Sequence, residues 1–227
     1  MKWQPILISG LCIFLSAVLL GETINVAKDG SGDYYLIQSG IEAAVDGDTV
    51  LVAPGIYYDG IDFLEKEILV ASWYFTTQDT SYISSTIIDG EGILENIVII
   101  QNLETENLVL SGFSIINIAP VGGAGISCGG STSPRIEHCH IYIEQGCGIH
   151  LGGDEPVISD ITVTGIGAEW STGIYIANSD AHVLNCSVTQ VYRGLAIYSH
   201  SNPLIENCEF VDNYSGAYID GNFCRAE

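Results

Sequence analysis

Similar eight-residue segments recur at a nearly constant interval along the second half of the chain. They are PRIEHCHI from Pro134, PVISDITV from Pro156, AHVLNCSV from Ala181 and PLIENCEF from Pro203, and their first residues lie 22, 25 and 22 positions apart. A second series keeps the same rhythm, with steps of 23, 25, 21 and 22: GISC, GIHL, GIYI, GLAI and GAYI, beginning at Gly125, Gly148, Gly173, Gly194 and Gly216. Two interleaved series with one period indicate a structural repeat of about 22 residues.

This period predicts an all-β fold, a parallel β-helix. Each repeat holds two or three short β-segments separated by turns, and no segment between them is long enough for a crossover helix. Consecutive strands joined so closely cannot pair in parallel with each other, so each strand must pair with its equivalent one repeat later. The chain then coils into a solenoid whose rungs stack about 4.8 Å apart. A leucine-rich repeat has a similar period, but its Leu/Asn pattern and helical half are missing here.

Side-chain directions follow from the two-residue period of a strand. In PLIENCEF the pattern points Ile205, Cys208 and Phe210 inward and places Asn207 in a turn. The same inward column holds Cys139, Ile161, Cys186 and Cys208, and the same turn column holds His138, Asp160, Asn185 and Asn207. Asn and Asp tolerate the left-handed conformation of a sharp turn, and stacked Asn amides can hydrogen-bond along the axis.

The first part of the chain departs from this pattern. Apolar residues at Ile37, Ile41, Ala44 and Val45 follow helical spacing, which predicts a short capping helix over residues 36–46. Such a helix would cover the open edge of the first rung. The segments TVLVA, EILVAS, STIID, NIVII and LVLSGFSII that follow are predicted strands, and the length predicts eight or nine coils. The clearest repeats span residues 125–220.

Residues 1–21 have the plan of a secretory signal peptide, with Lys2 before an apolar run from Ile6 to Leu20. The alternative is an uncleaved membrane anchor, for which the run is short. We therefore expect one β-helix domain over residues 22–227, secreted or at the cell surface, with no membrane insertion after cleavage. The last residues show no cap like that of the N-terminal part, so we also expect a further domain or partner to cover the last coil, or the chain to be a piece of a longer one.

The charge excludes some partners. The formal net charge is −22, which repels nucleic acid and anionic lipid surfaces. A polyanionic substrate would be repelled as well unless a cation screened the contact. The simpler interpretation of this charge is a surface that keeps the protein soluble.

The repeats resemble the right-handed parallel β-helix of the pectin-lyase-like superfamily over nearly all of the chain after residue 21. The segment INVAKDGSGDYYLIQSGIEAAVDGDTVLVAPGIYYDGI is similar to the start of pectin methylesterases, and SWYFTTQDTSYISSTIIDG is similar to a segment of exported bacterial β-helix proteins. The resemblance implies the fold. It implies little about function, because one fold carries many activities.

A methylesterase of this superfamily would need two catalytic carboxylates, an oxyanion-stabilising Gln and an Arg-Pro-Trp segment. Gln78 and Asp79 superficially match its Gln-Asp-Thr motif but lie too early in the chain, and the second Asp motif and the Arg-Pro-Trp segment are missing. We interpret both residues as part of a turn.

A lyase would need a base and a carboxylate-bound Ca²⁺. Arg135 and Arg193 have no acidic cluster at a recognisable spacing and are interpreted as solvated rim residues. A hydrolase would need facing carboxylates. Asp154 and Glu155 come nearest, but they are interpreted as turn residues.

Metal binding has only weak candidates. Asp29 and Asp33 alternate as in a Ca²⁺ loop, but the distal Glu of such a loop is missing. They are interpreted as a turn, with Ca²⁺ as the one cofactor left open. His138, in the turn column, and His140, His150 and His182, on outward positions of different strands, do not converge as zinc ligands would.

An aromatic surface is the strongest candidate for binding. The outward position of the glycine series holds Ser127, His150, Tyr175, Ala196 and Tyr218, and nearby turns add Trp170 and Tyr192. Trp170, Tyr175, Tyr192 and Tyr218 are the candidate carbohydrate-binding residues, since sugar rings stack their C–H faces on aromatics. The alternative is the ordinary preference of Tyr for exposed strands.

The cysteines that recur with the repeat are interpreted as small apolar core residues. Cys186 and Cys208 lie one coil apart on parallel vectors, about 4.8 Å apart, whereas a disulfide needs about 3.8 Å between Cβ atoms on converging vectors. Cys139 is separated from them by the coil of Ile161. Cys128, Cys147 and Cys224 remain open.

The sequence therefore predicts a non-catalytic, carbohydrate-binding or adhesin-like β-helix module. Two alternatives stay open: a polysaccharide-active enzyme, such as a Ca²⁺-dependent lyase of acidic glycans or a related hydrolase, and a structural stalk fragment of a larger adhesin.

Overall fold

The computed structural model describes residues 21–92, 95–102, 104–117, 122–166, 170–198 and 200–220. Residues 1–20 of the predicted signal peptide and Cys224 therefore lie outside the described residues. Within the described ranges, no helix is both long and apolar enough to cross a membrane.

The described residues form short strands with three helices in the first half of the chain. The elements of that half are β1 (Thr23–Val26), α1 (Ile37–Ala43), β2 (Thr49–Val52), β3 (Gly55–Tyr57), β4 (Ile61–Asp62), β5 (Leu69–Ser72), α2 (Tyr74–Thr77), α3 (Ser81–Ser85), β6 (Thr86–Asp89), β7 (Asn96–Gln101), β8 (Val109–Ser111), β9 (Ser114–Asn117) and β10 (Ala124–Gly129). The second half holds β11 (Arg135–Glu137), β12 (His140–Ile143), β13 (Gly146–Leu151), β14 (Val157–Ser159), β15 (Thr162–Gly165), β16 (Ser171–Ile176), β17 (His182–Leu184), β18 (Ser187–Thr189), β19 (Arg193–Ile197), β20 (Leu204–Glu206), β21 (Glu209–Val211) and β22 (Ser215–Ile219).

These strands form three parallel sheets, and each strand pairs with its equivalents in the neighbouring coils. Sheet 1 has the order β1-β2-β5-β8-β11-β14-β17-β20, sheet 2 runs from β3 to β21 and sheet 3 from β4 to β22, each in steps of three strands. The molecule is thus a β-solenoid, as the repeat predicts, and it is right-handed, as the resemblance implies. The described residues form seven coils, fewer than the eight or nine predicted, because the second coil also contains α2 and α3 and residues 22–48 form the N-terminal cap.

Columns of apolar side chains fill the interior. Sheet 1 contributes Ile136, Ile158, Val183 and Ile205, sheet 2 contributes Ile141, Val163, Val188 and Phe210, and sheet 3 contributes Ile126, Ile149, Ile174 and Leu195. Each fully buried aliphatic side chain contributes about 1.5–3 kcal/mol. In the last coil, Ile205, Cys208 and Phe210 are only partly buried, because no described coil follows it.

The turn between sheets 1 and 2 confirms the predicted ladder. His138, Asp160, Asn185 and Asn207 all have φ between 52° and 55°, in the left-handed region. The Nδ2 group of Asn207 donates to Oδ1 of Asn185 at 3.4 Å, and the Nδ2 group of Asn185 donates to Oδ1 of Asp160 at 3.4 Å. The amide stack predicted from the sequence is therefore present in the last three of these turns.

The cysteines of this column line the interior as free thiols. Each thiol donates to the carbonyl two residues earlier, across the left-handed turn: Cys139 to Glu137 at 3.3 Å, Cys186 to Leu184 at 3.2 Å and Cys208 to Glu206 at 3.2 Å. The thiol thus fills the core and also bonds the turn carbonyl, which an aliphatic side chain cannot do.

The glycine series has a steric cause. A Cβ atom at Gly173 would lie 2.2 Å from Cγ1 of Val188 and 2.7 Å from the carbonyl oxygen of Gly194 in the next coil. A Cβ atom at each of the other glycines would also lie close to the carbonyl oxygen of the equivalent glycine in the next coil: 2.8 Å for Gly125, 2.6 Å for Gly148 and 2.5 Å for Gly194. No side chain fits there, because the chain entering sheet 3 packs directly on sheet 2 and on the following coil.

The capping helix is present but shorter than predicted. It covers Ile37–Ala43 and buries Ile37 and Ile41, whereas residues 44–46 lie beyond its end. Ala44 is extended, and Val45 is 56% exposed, so its predicted place on the helix was wrong. The helix ends there because Lys66 Nζ donates to the carbonyls of Ile41, Glu42 and Ala44 at 2.6–2.8 Å, and because Asp48 accepts the Val45 N–H at 2.9 Å.

Candidate functional site

Two rows of aromatic rings lie on the outside of the last four coils. The first row follows the turn that enters sheet 3 and consists of Trp170, Tyr192 and Tyr214, one residue per coil. Their centroids are 5.5 Å apart between Trp170 and Tyr192, and 4.7 Å apart between Tyr192 and Tyr214. The structure thus brings together Trp170 and Tyr192, which the sequence identified, and adds Tyr214.

The second row lies on the outer face of sheet 3. His150, Tyr175, Ala196 and Tyr218 share one column, as the repeat predicts. The ring of Tyr198 contacts those of Tyr175 and Tyr218, with centroid distances of 4.9 and 5.5 Å. Tyr198 therefore covers Ala196, which is fully buried despite its outward position.

Arg193 joins the two rows. Its guanidinium carbon lies 5.4 Å from the ring centroid of Tyr192 and 4.9 Å from that of Tyr218. The interpretation of Arg193 as a solvated rim residue was therefore wrong: the side chain is half-buried between two rings, where a guanidinium is attracted to their faces. We call the set Trp170, Tyr175, Tyr192, Arg193, Tyr198, Tyr214 and Tyr218 the aromatic patch.

The rings stack on one another, which limits the faces they offer. Tyr192 and Tyr214 are almost parallel, with an interplanar angle of 9°, so each hides one face of the other. The large free areas belong to the ends of the first row, where Trp170 is 74% and Tyr214 is 81% exposed. A flat ligand such as a sugar ring would therefore stack at these ends and meet ring edges and hydroxyl groups between them.

Trp170 also has an unusual backbone. Its φ is +78°, a conformation that is a clear outlier for a bulky residue. Such strain persists only where the surroundings enforce it, and it is concentrated at functional sites.

Two residues of the patch were missed at the sequence level, for different reasons. Tyr214 lies 22 residues after Tyr192, so extending the turn column by one period would have found it. Tyr198 lies two residues after Ala196, so the alternation would place it outward, but it follows the end of its strand, and its ring contacts with Tyr175 and Tyr218 depend on the neighbouring coils.

The weak metal candidates hold a turn. Oδ1 of Asp29 accepts hydrogen bonds from the N–H and hydroxyl of Ser31 at 2.9 and 2.6 Å, and these bonds lower the pKa of Asp29. Oδ2 of Asp33 accepts the N–H of Asn25 at 2.8 Å. Among the described residues, no three His, Cys, Asp or Glu side chains are grouped as metal ligands would be.

The enzyme-like motifs do not converge on the aromatic patch. Gln78, with φ of 59°, and Asp79 form the junction of α2 and α3, between sheets 1 and 2. Asp154 and Glu155 lie in the turn from sheet 3 to sheet 1. Arg135 pairs with Glu137 at 3.2 Å on sheet 1.

The remaining histidines lie apart from one another. His140, His150 and His182 lie on different strands, as predicted, and these strands belong to three different sheets. The centroid of the His138 ring lies 4.9 Å from that of Tyr74.

The two open cysteines within the described residues lie on different sides of sheet 3. Cys128 is buried in the interior, and desolvation raises the pKa of its thiol strongly. Cys147 lies half-buried on the outer side, and burial raises the pKa of its thiol to about 11. Both thiols are therefore protonated near neutral pH, so neither is an activated nucleophile.

Comparisons with known proteins support the fold. A family model described as "Right handed beta helix region" matches residues 147–225, a little over a third of the chain. No curated protein matches the chain significantly.

Solved structures of low sequence identity share the architecture. A pectin methylesterase in complex with a hexasaccharide is similar with a TM-score of 0.55 and 12% identity, over 81% of this chain and 66% of that one. Pectin methylesterase PemA from Erwinia chrysanthemi is similar with a TM-score of 0.57 and 12% identity, over 81% of this chain and 66% of that one. The carrot pectin methylesterase is similar with a TM-score of 0.51 and 13% identity, over 85% of this chain and 65% of that one. The chain thus spans just under two thirds of the length of these enzymes, and at such identity the likeness concerns the fold alone.

Proposed function

We propose that this protein is a non-catalytic, extracellular or cell-surface module that binds carbohydrate through the aromatic patch. The observation that carries the proposal is a pair of aromatic stacks, each of three rings over the last three coils and joined by Arg193, with Trp170 74% and Tyr214 81% exposed at the ends of the first row. Exposed apolar patches of this kind are uncommon on soluble proteins and mark interaction sites.

The chemistry of the patch favours a sugar over a protein partner or a lipid surface. Tyr and Trp offer an apolar ring together with a polar tip, which suits a ligand with both C–H faces and hydroxyl groups. The formal charge of −22 opposes binding to an anionic membrane surface. The solved pectin methylesterase that shares this fold is in complex with a hexasaccharide, which is a carbohydrate ligand.

Binding is favoured over catalysis because the named residues of the patch include no carboxylate, whereas a glycosidase uses a pair of them. The one cation of the patch, Arg193, is held between two rings. Secretion is part of the proposal and is supported by the apolar segment from Ile6 to Leu20 and by the acidic surface.

The test measures binding of the whole chain to an array of plant, algal and bacterial oligosaccharides. We expect the parent to bind at least one neutral glycan, and Trp170→Ala/Tyr214→Ala to weaken that binding at least tenfold. Tyr35→Ala is the matched control, since Tyr35 is also exposed, at 63%, but lies near the N-terminal cap. Equal binding by the double variant and the parent would contradict the proposal, as would release of unsaturated uronate or methanol from pectin by the parent.

A further inference from the structure

A cavity of about 400 Å³ adjoins the aromatic patch on the outer side of sheet 3. It is lined on one side by Glu95 and Asn96 of the second coil and on the other by His150 and Tyr175, with Ser127 between them. Ser127, His150 and Tyr175 belong to the same outward column as Tyr218. The cavity therefore continues the second aromatic row toward the N-terminal coils, and Tyr175 belongs to both.

Glycines leave the cavity without large side chains on its inner side. Gly123 packs so closely on the preceding coil that a Cβ atom there would lie 1.4 Å from the carbonyl oxygen of Glu95. At Gly146, which has φ of +77°, a Cβ atom would lie 2.2 Å from the carbonyl oxygen of Gly123. The close stacking of three successive coils thus requires glycine at these positions. These positions therefore place no side chain in the cavity on the outer side of sheet 3.

The walls offer both an apolar surface and polar groups. The rings of His150 and Tyr175 meet edge to face, with centroids 5.0 Å apart. Ser127, Asn96 and Glu95 supply a hydroxyl, an amide and a carboxylate. A small number of polar groups beside aromatic walls is typical of a pocket for a small organic ligand, and the volume lies within the range of such pockets.

The cavity has a negative electrostatic balance. Burial lowers the pKa of His150, raises that of Tyr175 and raises that of Cys147 to about 11, so these three groups are neutral near pH 7. Glu95 is then the only charged side chain among the described residues of the lining. Among these described lining residues, an anionic ligand would meet a like charge and no cation.

We propose that this cavity is a subsite for one neutral sugar unit and that it selects against uronic acid units. The proposal rests on the proposed carbohydrate-binding function and names the ligand class for part of the same surface. Ser127, His150 and Tyr175 lie on successive coils about 4.8 Å apart, a spacing close to the length of one sugar unit in an extended glycan. A glycan on the patch would therefore run along the solenoid axis and place one unit in the cavity.

The test fills the cavity without disturbing the patch. Ser127→Tyr puts a ring at a position where Tyr175 and Tyr218 already occupy the same column in other coils, so the backbone accepts it. His150→Ala, which removes one wall, is the second variant, and Tyr35→Ala is the control. Thermal unfolding followed by circular dichroism confirms that each variant is folded before its binding is measured.

The probes are the tightest neutral oligosaccharide found on the array and tetragalacturonate, both measured by isothermal titration calorimetry. We expect the parent to bind the neutral probe at least tenfold more tightly than the uronate, and Ser127→Tyr to weaken the neutral probe at least tenfold. We also expect Glu95→Gln to reduce the difference in affinity between the neutral probe and tetragalacturonate.

The outcomes separate the two proposals. A neutral probe that binds Ser127→Tyr and His150→Ala as tightly as the parent would overturn the subsite and leave carbohydrate binding by the patch intact. Uronate binding as tight as neutral binding would overturn the selectivity. A parent that binds no glycan on the array would overturn both.

Discussion

Replacing Gly173 with alanine tests the steric origin of the glycine series. The new Cβ atom would lie 2.2 Å from Cγ1 of Val188 and 2.7 Å from the carbonyl oxygen of Gly194. Carbon atoms in good contact are about 3.5–4.0 Å apart, so the overlap with the valine exceeds an ångström. The valine could change its rotamer, but the carbonyl is fixed in the hydrogen-bonded backbone of the next coil.

The magnitude follows from two opposing terms. Extra volume in a packed core costs about 1–3 kcal/mol. Alanine gains about 0.4–1 kcal/mol over glycine by restricting the unfolded chain, but only where the folded conformation accepts it. We therefore expect Gly173→Ala to lower the free energy of unfolding by about 1–3 kcal/mol, measured as a fall in the urea midpoint at constant slope.

Gly216 provides the matched control. It occupies the same position in the last coil, where the nearest atom to a Cβ would be the Phe210 oxygen at 3.9 Å. Gly216→Ala should leave stability unchanged or raise it by up to about 1 kcal/mol. The double variant Gly173→Ala/Val188→Ala should lose less free energy of unfolding than the two single variants lose together, because Val188→Ala removes the side-chain atom that the new Cβ overlaps most. A Gly173→Ala variant as stable as Gly216→Ala would show that the glycine series has no steric cause.

Three further predictions concern the cap, a buried carboxyl and a thiol. Lys66→Met removes three charge-assisted hydrogen bonds to the end of α1 and should lower the free energy of unfolding by about 1.5–3 kcal/mol. The amides of α1 should exchange faster in Lys66→Met than in the control variant Lys28→Met. Glu104 is 1% exposed, one of its carboxyl oxygens has no hydrogen-bond partner, and desolvation raises its pKa. Its contribution to stability is therefore greatest below the pKa that Glu104 has in the unfolded chain, and it is lost as the pH rises through the pKa of Glu104 in the folded protein. Glu104→Gln should raise stability at pH 7.5 by about 1 kcal/mol and make urea midpoints at pH 4 and 7.5 more alike; an unchanged pH dependence would contradict this. Cys147 should react with a maleimide in the folded protein, and faster at pH 9 than at pH 7, whereas Cys128 should react only after unfolding; mass spectrometry of the labelled peptides distinguishes the two.

The coil architecture could be predicted from the sequence because every coil repeats the same requirements. The left-handed turn requires residues such as Asp160 and Asn185, and the chain entering sheet 3 requires glycine. These requirements are local, so they appear as a period. The helices α2 and α3 could not be predicted in this way, since segments of four and five residues contain too few turns to show a helical period.

The candidate site was predictable only in part. The outward column identified Tyr175 and Tyr218, and the turn column identified Trp170 and Tyr192, because those positions depend on strand alternation and coil length. The role of Arg193 depends on the ring of Tyr192, the preceding residue, 5.4 Å away, and on that of Tyr218 in the next coil, 4.9 Å away, and so in part on tertiary geometry. The cavity depends on the close approach of three coils at Gly123 and Gly146, which no single segment reveals.

The glycine column also bears on how such a molecule can change its length. Each coil from Gly125 to Gly194 offers the next one the same bare backbone and demands the same clearance from it. A duplicated coil inserted between two others would meet compatible neighbours on both sides without further substitution. Growth by whole coils therefore needs only one genetic event, whereas a shift by a few residues would misplace every column at once.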